Sequence, residues 1–254
     1  MNAAVREPEV LIFDLFGTLV DLDWSTLPRV QIGDRERVIT IPGLEELLAE
    51  AGQGVQVETF LDQVDAVGPL VVEGKRRTGT EQSSALRFRV ALERCGFWVG
   101  RNELAIEMSL RHMRTLAASV RFPVARRETL QSLAQRYRIA LVSNFDHGPT
   151  ARAILDSTGL SALCEVSIIS DEMGARKPQS ILFHQACRLL SVTPEQCWYI
   201  GDTFDDDVVG AVNAGLVAVW IDEGHESDRP LSPALARIRD VNELPEILRR
   251  RYGS

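Results

Sequence analysis

The run Val10-Leu11-Ile12-Phe13-Asp14-Leu15-Phe16-Gly17-Thr18 restricts the fold of this chain more than any other stretch. Four consecutive large apolar residues that run straight into a carboxylate predict a strand buried on both faces, as in a parallel sheet. The carboxyl end of such a strand delivers Asp14 to a crevice. Gly17 and Thr18 follow at once, giving a tight turn whose backbone N–H groups and hydroxyl can hold an anion. Taken alone, the stretch is equally a core strand ending in a turn aspartate, so the later segments decide its meaning.

After Trp24 a polar stretch runs to Thr40 without clear periodicity, and from Pro42 to about Val120 the pattern turns helical. Phe60, Val64, Val67 and Val71 recur at helical spacing, with Gly68-Pro69 predicting a kink or break. Ala85, Phe88, Leu92 and Cys95 follow the same period, with Thr80 as N-cap and Gly96 past the end. So do Ile106, Leu110, Met113, Ala117 and Val120 after Asn102, a second N-cap candidate. This interval, 23–121, predicts a helical domain inserted after the first strand, with no strand of its own.

Past Pro123 strand and helix alternate. Leu130, Leu133, Ala134 and Tyr137 line a helix that feeds a strand over 139–142 ending in Ser143-Asn144. Further strands are expected over 166–169, over 197–200 running into Gly201-Asp202, and over 216–221. Short links between them predict an α/β fold: a doubly wound, Rossmann-like parallel sheet from 1–22 and 122–254, carrying the α-helical insert.

Composition narrows the function. A net charge of -8 argues against a nucleic-acid or anionic-membrane surface, leaving a small, locally steered anionic substrate as the natural partner. Cys95, Cys164, Cys187 and Cys197 form no CxxC pair, which argues against zinc. Residues 1–9 precede an apolar run too short for a signal core or a membrane span, so a cytoplasmic monomer or homodimer is expected. The only lysines are Lys75 and Lys177 in a chain otherwise rich in arginine.

In a doubly wound sheet the strand carboxyl ends share one edge, where ligands bind. Asp14, Ser143 with Asn144, and Asp202 all fall at such ends, and Lys177-Pro178 follows another. In that order and spacing, the chain resembles the haloacid dehalogenase-like hydrolase superfamily with a helical cap between its first two motifs. Residues 14–18 resemble motif one, Ser143-Asn144 motif two, Lys177-Pro178 motif three, and Gly201-Asp202 through Asp207 motif four. The resemblance implies that Asp14 is a nucleophile forming a covalent intermediate. It implies further that Thr18, Ser143 and Asn144 bind the transferring group, and that Lys177 neutralises charge.

Asp202, Asp205, Asp206 and Asp207 would face Asp14, and converging carboxylates repel unless a cation joins them. Oxygen-only ligation suggests Mg2+. The resemblance implies Asp14, the Phe16 carbonyl and Asp202 as ligands, with Asp207, or less favourably Asp206, in support. The alternative is a solvated helix start, where acids suit the dipole.

Phosphatases of this superfamily usually carry a second aspartate two residues after the nucleophile as general acid and base. Here that residue is Phe16, and losing the proton donor costs on the order of 100 to 10,000-fold in rate unless the leaving group is good, as in an aryl or acyl phosphate. Asp146 or His147 could replace it, His147 being equally an exposed loop residue. A 2-haloacid dehalogenase needs neither acid nor metal, and Phe16 fits that alternative, whereas the acids at 202–207 fit a metal-dependent phosphatase. A catalytically weak phospho-ligand-binding member is a third. In the insert, Lys75, Arg76, Arg77, Arg87 and Arg89 are expected on a solvated helix face. His112, His184 and His225 receive no role, and Trp24, Trp98, Trp198 and Trp220 are expected to pack, Trp24 following motif one closely enough to touch substrate.

Overall fold

The computed structural model describes residues 5–52, 54–97, 102–224 and 229–253, so Trp98 and His225 lie outside the described residues. The chain divides into two compact units, Met1–Asp21 with Arg121–Ser254, and Leu22–Val120. In chain order the strands are β1 (Val10–Phe13), β2 (Asp21–Leu22), β3 (Arg29–Ile32), β4 (Arg35–Val38), β5 (Val120–Arg121), β6 (Arg138–Ser143), β7 (Val166–Ile169), β8 (Cys197–Gly201), β9 (Val217–Ile221) and β10 (Ala236–Ile238).

The first unit is built on a six-stranded sheet of order β10-β9-β8-β1-β6-β7, parallel throughout. All four side chains of β1 are closed to solvent, as an unbroken apolar run requires. Val10 and Ile12 pack into one cluster with Leu182, Phe183, Ala186 and Leu190 of the helix Ser180–Leu190. Leu11 and Phe13 take the other face by strand alternation. Each such side chain contributes roughly 1.5–3 kcal/mol by leaving water. The strand order reverses around β1, where Phe13 lies opposite Leu141 on β6 and Ile200 on β8. This reversal sets the ends of β1, β6 and β8 side by side and opens the crevice there. The edge strand β10 carries only three residues, too short for a periodic signal.

In the second unit, Leu44, Leu48, Phe60, Leu61, Phe88, Leu92 and Met108 form the core. The helices are Leu44–Glu50, Val57–Thr78, Ala85–Arg94 and Asn102–Ala118. Four expectations need correction. First, the polar stretch contains a hairpin, β3 with β4, turning at Gly33-Asp34 with Gly33 at φ 57°. It escaped notice because its outward residues are charged and paired across the strands, as in Arg29–Glu36 at 3.0 Å, leaving too few apolar positions to show a period. Second, Val57–Thr78 continues through Pro69. Pro69 and Asp65, whose carbonyl loses its bond, are both exposed, so water can replace what the ring removes. Third, neither Thr80 nor Asn102 caps: Ser84 precedes the helix at Ala85, and Asn102 is already helical. Fourth, Lys75 is not solvated. It is 8% exposed and its Nζ lies 2.8 Å from Glu81 Oε1.

Trp198 and Trp220 are buried, whereas Trp24 is 59% exposed and packs in no core. No helix among the described residues is long and apolar enough to cross a membrane.

Candidate functional site

The end of β1 presents Asp14, whose backbone N–H donates to Ile200 of β8 at 2.9 Å and so ties the residue to both strands. Its carboxylate is 7% exposed. Lys177 is 2% exposed and its ammonium spends all three protons: on Asp14 Oδ1 at 2.7 Å, on Asp207 Oδ1 at 2.6 Å and on the Tyr199 hydroxyl at 2.7 Å. Burial works against that charge, but the two carboxylates outweigh it and Lys177 is held above the ordinary lysine range.

Two glycines make room for the acids. A Cβ on Gly17, at φ 73°, would lie 2.5 Å from Asp202 Oδ2, and one on Gly201 would lie 2.5 Å from the Asp207 carboxyl carbon. After Gly201 the chain enters a π-helical turn, Phe204–Val209, that buries Asp206 and Asp207 and leaves Asp205 to an outer ion pair with Arg229. π-Turns of this sort recur at functional sites because they re-aim side chains within a helix. Asp207 accepts from Thr203 N at 2.9 Å through its second oxygen.

One carboxylate oxygen from each of Asp14, Asp202 and Asp207 lies within 4.8 Å of the others. Burial pushes the Asp14 carboxyl up to about 6 against the pull of Lys177, with Asp207 adding to the rise. Burial, then Asp14 and Asp207, push Asp202 up to about 7. Three carboxylates against one ammonium leave a formal charge of about −2 in a closed site. Asp202 Oδ1 is buried and accepts no hydrogen bond. An unmet oxygen acceptor in an oxygen-only donor set with two surplus negative charges fits a hard divalent cation.

The remaining expected residues divide. Ser143 ends β6 and is 1% exposed, and Thr18 is fully buried with its Oγ1 lacking a hydrogen-bond partner. The Asn144 side chain is turned to Lys177. Its Oδ1 accepts from Lys177 N at 2.8 Å, while its Nδ2 donates to Lys177 O at 3.2 Å and to Asp206 Oδ2 at 3.1 Å. Both amide protons are used, so the side chain braces the Lys177 backbone. Asp206 is likewise turned towards Asn144 and Arg176 and away from a supporting metal role. His147 is half-buried and caps the helix Gly148–Thr158, its Nδ1 accepting from Thr150 N at 3.3 Å.

Tyr199 is the site residue that sequence reasoning missed. It is fully buried on β8, and its hydroxyl receives the Lys177 ammonium and donates to the Val142 carbonyl at 2.8 Å. The available signal was a phenol inside an apolar strand, which must find a polar partner.

A buried carboxylate held by a buried lysine, with further acids beside it on the switch-point edge, suits a hydrolase of the doubly wound class. The chain belongs to the haloacid dehalogenase-like hydrolases, whose family model matches residues 8–215. It is 32% identical over 141 residues to the N-acylneuraminate-9-phosphatase of Homo sapiens, covering 55% of this chain and 54% of that protein. It is 33% identical over 158 residues to the phosphoserine phosphatase of Thermus thermophilus, covering 62% and 61%. The chain thus spans roughly half to three-fifths of the length of these curated relatives. Among solved structures, the 2-haloacid dehalogenase of Pseudomonas syringae pv. tomato DC3000 has the same fold, with a TM-score of 0.66 and 21% identity over 96% of this chain and 99% of that one.

Proposed function

We propose that this hydrolase is a Mg2+-dependent phosphatase in which Asp14 attacks phosphorus and carries an aspartyl-phosphate that water then cleaves. The observation that carries this is the charge imbalance at the strand ends: three carboxylates, one ammonium, and a buried Asp202 oxygen without a partner. Asp14, Asp202 and the Phe16 carbonyl would hold the cation, and Asp207, whose oxygens already accept from Lys177 and Thr203, orients rather than ligates. The metal supplies Lewis-acid charge stabilisation at the phosphoryl oxygens. Lys177 keeps Asp14 oriented and offsets charge as the phosphoryl group arrives, while Asn144 and Tyr199 fix Lys177 from its backbone and its ammonium. Phosphatase-named relatives at about one-third identity support the same choice.

The test is release of inorganic phosphate from p-nitrophenyl phosphate with and without Mg2+, in the wild type and in Asp14→Asn. Metal-dependent release that disappears in the variant is expected. Chloride release from 2-chloropropionate without added metal, with no phosphatase activity, would overturn it in favour of a dehalogenase. Tight phosphate binding without turnover of either substrate would leave only a binding protein.

A further inference from the structure

Phe16 and Phe145 form a stacked pair, with ring centroids 5.2 Å apart and planes within 15°. Phe16 lies in the turn directly after Asp14, and Phe145 follows Ser143-Asn144 at the end of the neighbouring strand. Both are half-buried, so the pair keeps some apolar ring surface open. Phe145 is also pinned: Ser170 Oγ accepts from its N–H at 2.9 Å and donates to its carbonyl at 3.2 Å, and Asp171 N donates to that carbonyl at 3.3 Å. These bonds fix the backbone from which the ring projects.

Lys177 occupies one carboxylate oxygen of Asp14, and Asp202 lies close to Gly17. Phe16 stands two residues after Asp14, and Phe145 two residues after the end of the adjoining strand.

Resting on the phosphatase reading, we infer that the Phe16–Phe145 pair is the seat of the leaving group, and that it selects phosphate esters of phenol-like alcohols: planar, aromatic, and acidic enough to depart without a proton. The observation is a stacked aromatic pair carried on the ends of the two adjoining strands, one ring two residues after Asp14, and neither ring can donate a proton. Aromatic surfaces stack on planar unsaturated groups, favouring an aryl body over an alkyl one. In the chemical step the Asp14 oxygen bonds to phosphorus and the ester P–O bond breaks, its electron pair leaving with the phenolate. Water then attacks phosphorus and the bond to Asp14 breaks. Of the two water protons, one stays on the released phosphate and the other reaches the phenolate through solvent, so a monoester and water give a phenol and hydrogen phosphate.

The experiment compares a series of ring-substituted phenyl phosphates, acetyl phosphate and an alkyl phosphate such as glycerol phosphate, using wild type, Phe145→Leu and Phe16→Asp with Mg2+. Wild type should fall steeply in kcat/KM as leaving-group pKa rises, the alkyl ester lying about 100 to 10,000-fold below activated aryl esters, the span a general acid normally covers. Phe145→Leu should raise KM for phenyl phosphates more than for acetyl phosphate, which has no ring to stack. Phe16→Asp should narrow the gap between aryl and alkyl esters. Equal turnover of alkyl and aryl esters by the wild type, or a Phe145→Leu effect equal on phenyl and acetyl phosphates, would overturn the inference while the phosphatase stands. Absence of metal-dependent phosphate release from every ester would instead remove the reading beneath it.

Discussion

The two lysines of this chain fall one in each unit, both are buried, and their surroundings differ in a way that separates architecture from chemistry. Lys75 in the helical unit meets Glu81 at 2.8 Å, with the side chains 10% and 2% exposed, so a buried cation stands directly against a buried acid. Lys177 in the sheet unit meets two carboxylates and a phenol, with a third carboxylate within 4.8 Å of the first two. Burying ions is costly, and a fold that only needed stability would balance them. The sheet unit leaves its acids in excess. Such an imbalance is tolerated where a ligand completes the set, and buried carboxylates raised to about 6 and about 7 are its electrostatic signature.

The largest expected effect breaks the unbalanced side. Asp14→Asn should lower phosphatase turnover by roughly 10,000-fold or more, the scale for removing a nucleophile. In the absence of added metal, its unfolding midpoint should match or exceed that of the wild type, since one of the crowded acids is gone and Lys177 keeps Asp207. Lys75→Met is the mirror experiment. Removing the ammonium beside Glu81 should cost up to about 3–5 kcal/mol in chemical denaturation, with kcat nearly unchanged. If Lys75→Met abolished turnover at unchanged stability, the contrast between the two lysines would fail.

Cation binding sharpens the same contrast at smaller size. At 100 times its dissociation constant, Mg2+ should add about 2.7 kcal/mol to the stability of the wild type. Asp202→Asn should lose that increment and Lys75→Met should keep it, as read by thermal shift across a Mg2+ titration.

What could be foreseen from sequence follows the strength of local pattern. β1 was legible because four adjacent apolar residues before Asp14 leave a parallel core strand as the economical solution, and the motif carboxylates and Lys177 fell into place from strand ends alone. The β3–β4 hairpin was not, because its outward residues are ionic and its turn rests on a single positive-φ glycine. Partner choice was the harder failure. Nothing local distinguishes Lys75 from its exposed neighbours Arg76 and Arg77, or tells whether the Asn144 amide faces a substrate or the Lys177 backbone. Those outcomes depend on segments tens of residues away, as does the union of Tyr199 with Lys177.

Among the described residues of the helical unit, His112 is a second buried basic group, and its burial favours the neutral form. His112 is 8% exposed, stands edge-on to Phe88 and receives Arg87 at 3.3 Å through Nε2. Burial first, and the Arg87 charge second, depress it to about 3 from 6.5. The unfolded chain therefore binds a proton below about pH 6.5 that the folded chain refuses, so the stability tied to His112 is complete above that pH and is lost as pH falls towards 3. Between pH 7 and pH 5.5 the loss should be about 1 kcal/mol, the smallest effect in this set. His112→Gln keeps an acceptor for Arg87 but cannot titrate. Urea unfolding of both proteins at the two pH values should show the wild type losing that increment relative to the variant. A parallel decline in both would mean that His112 is protonated in the folded state, beside Arg87, and that the helical unit also carries uncompensated charge.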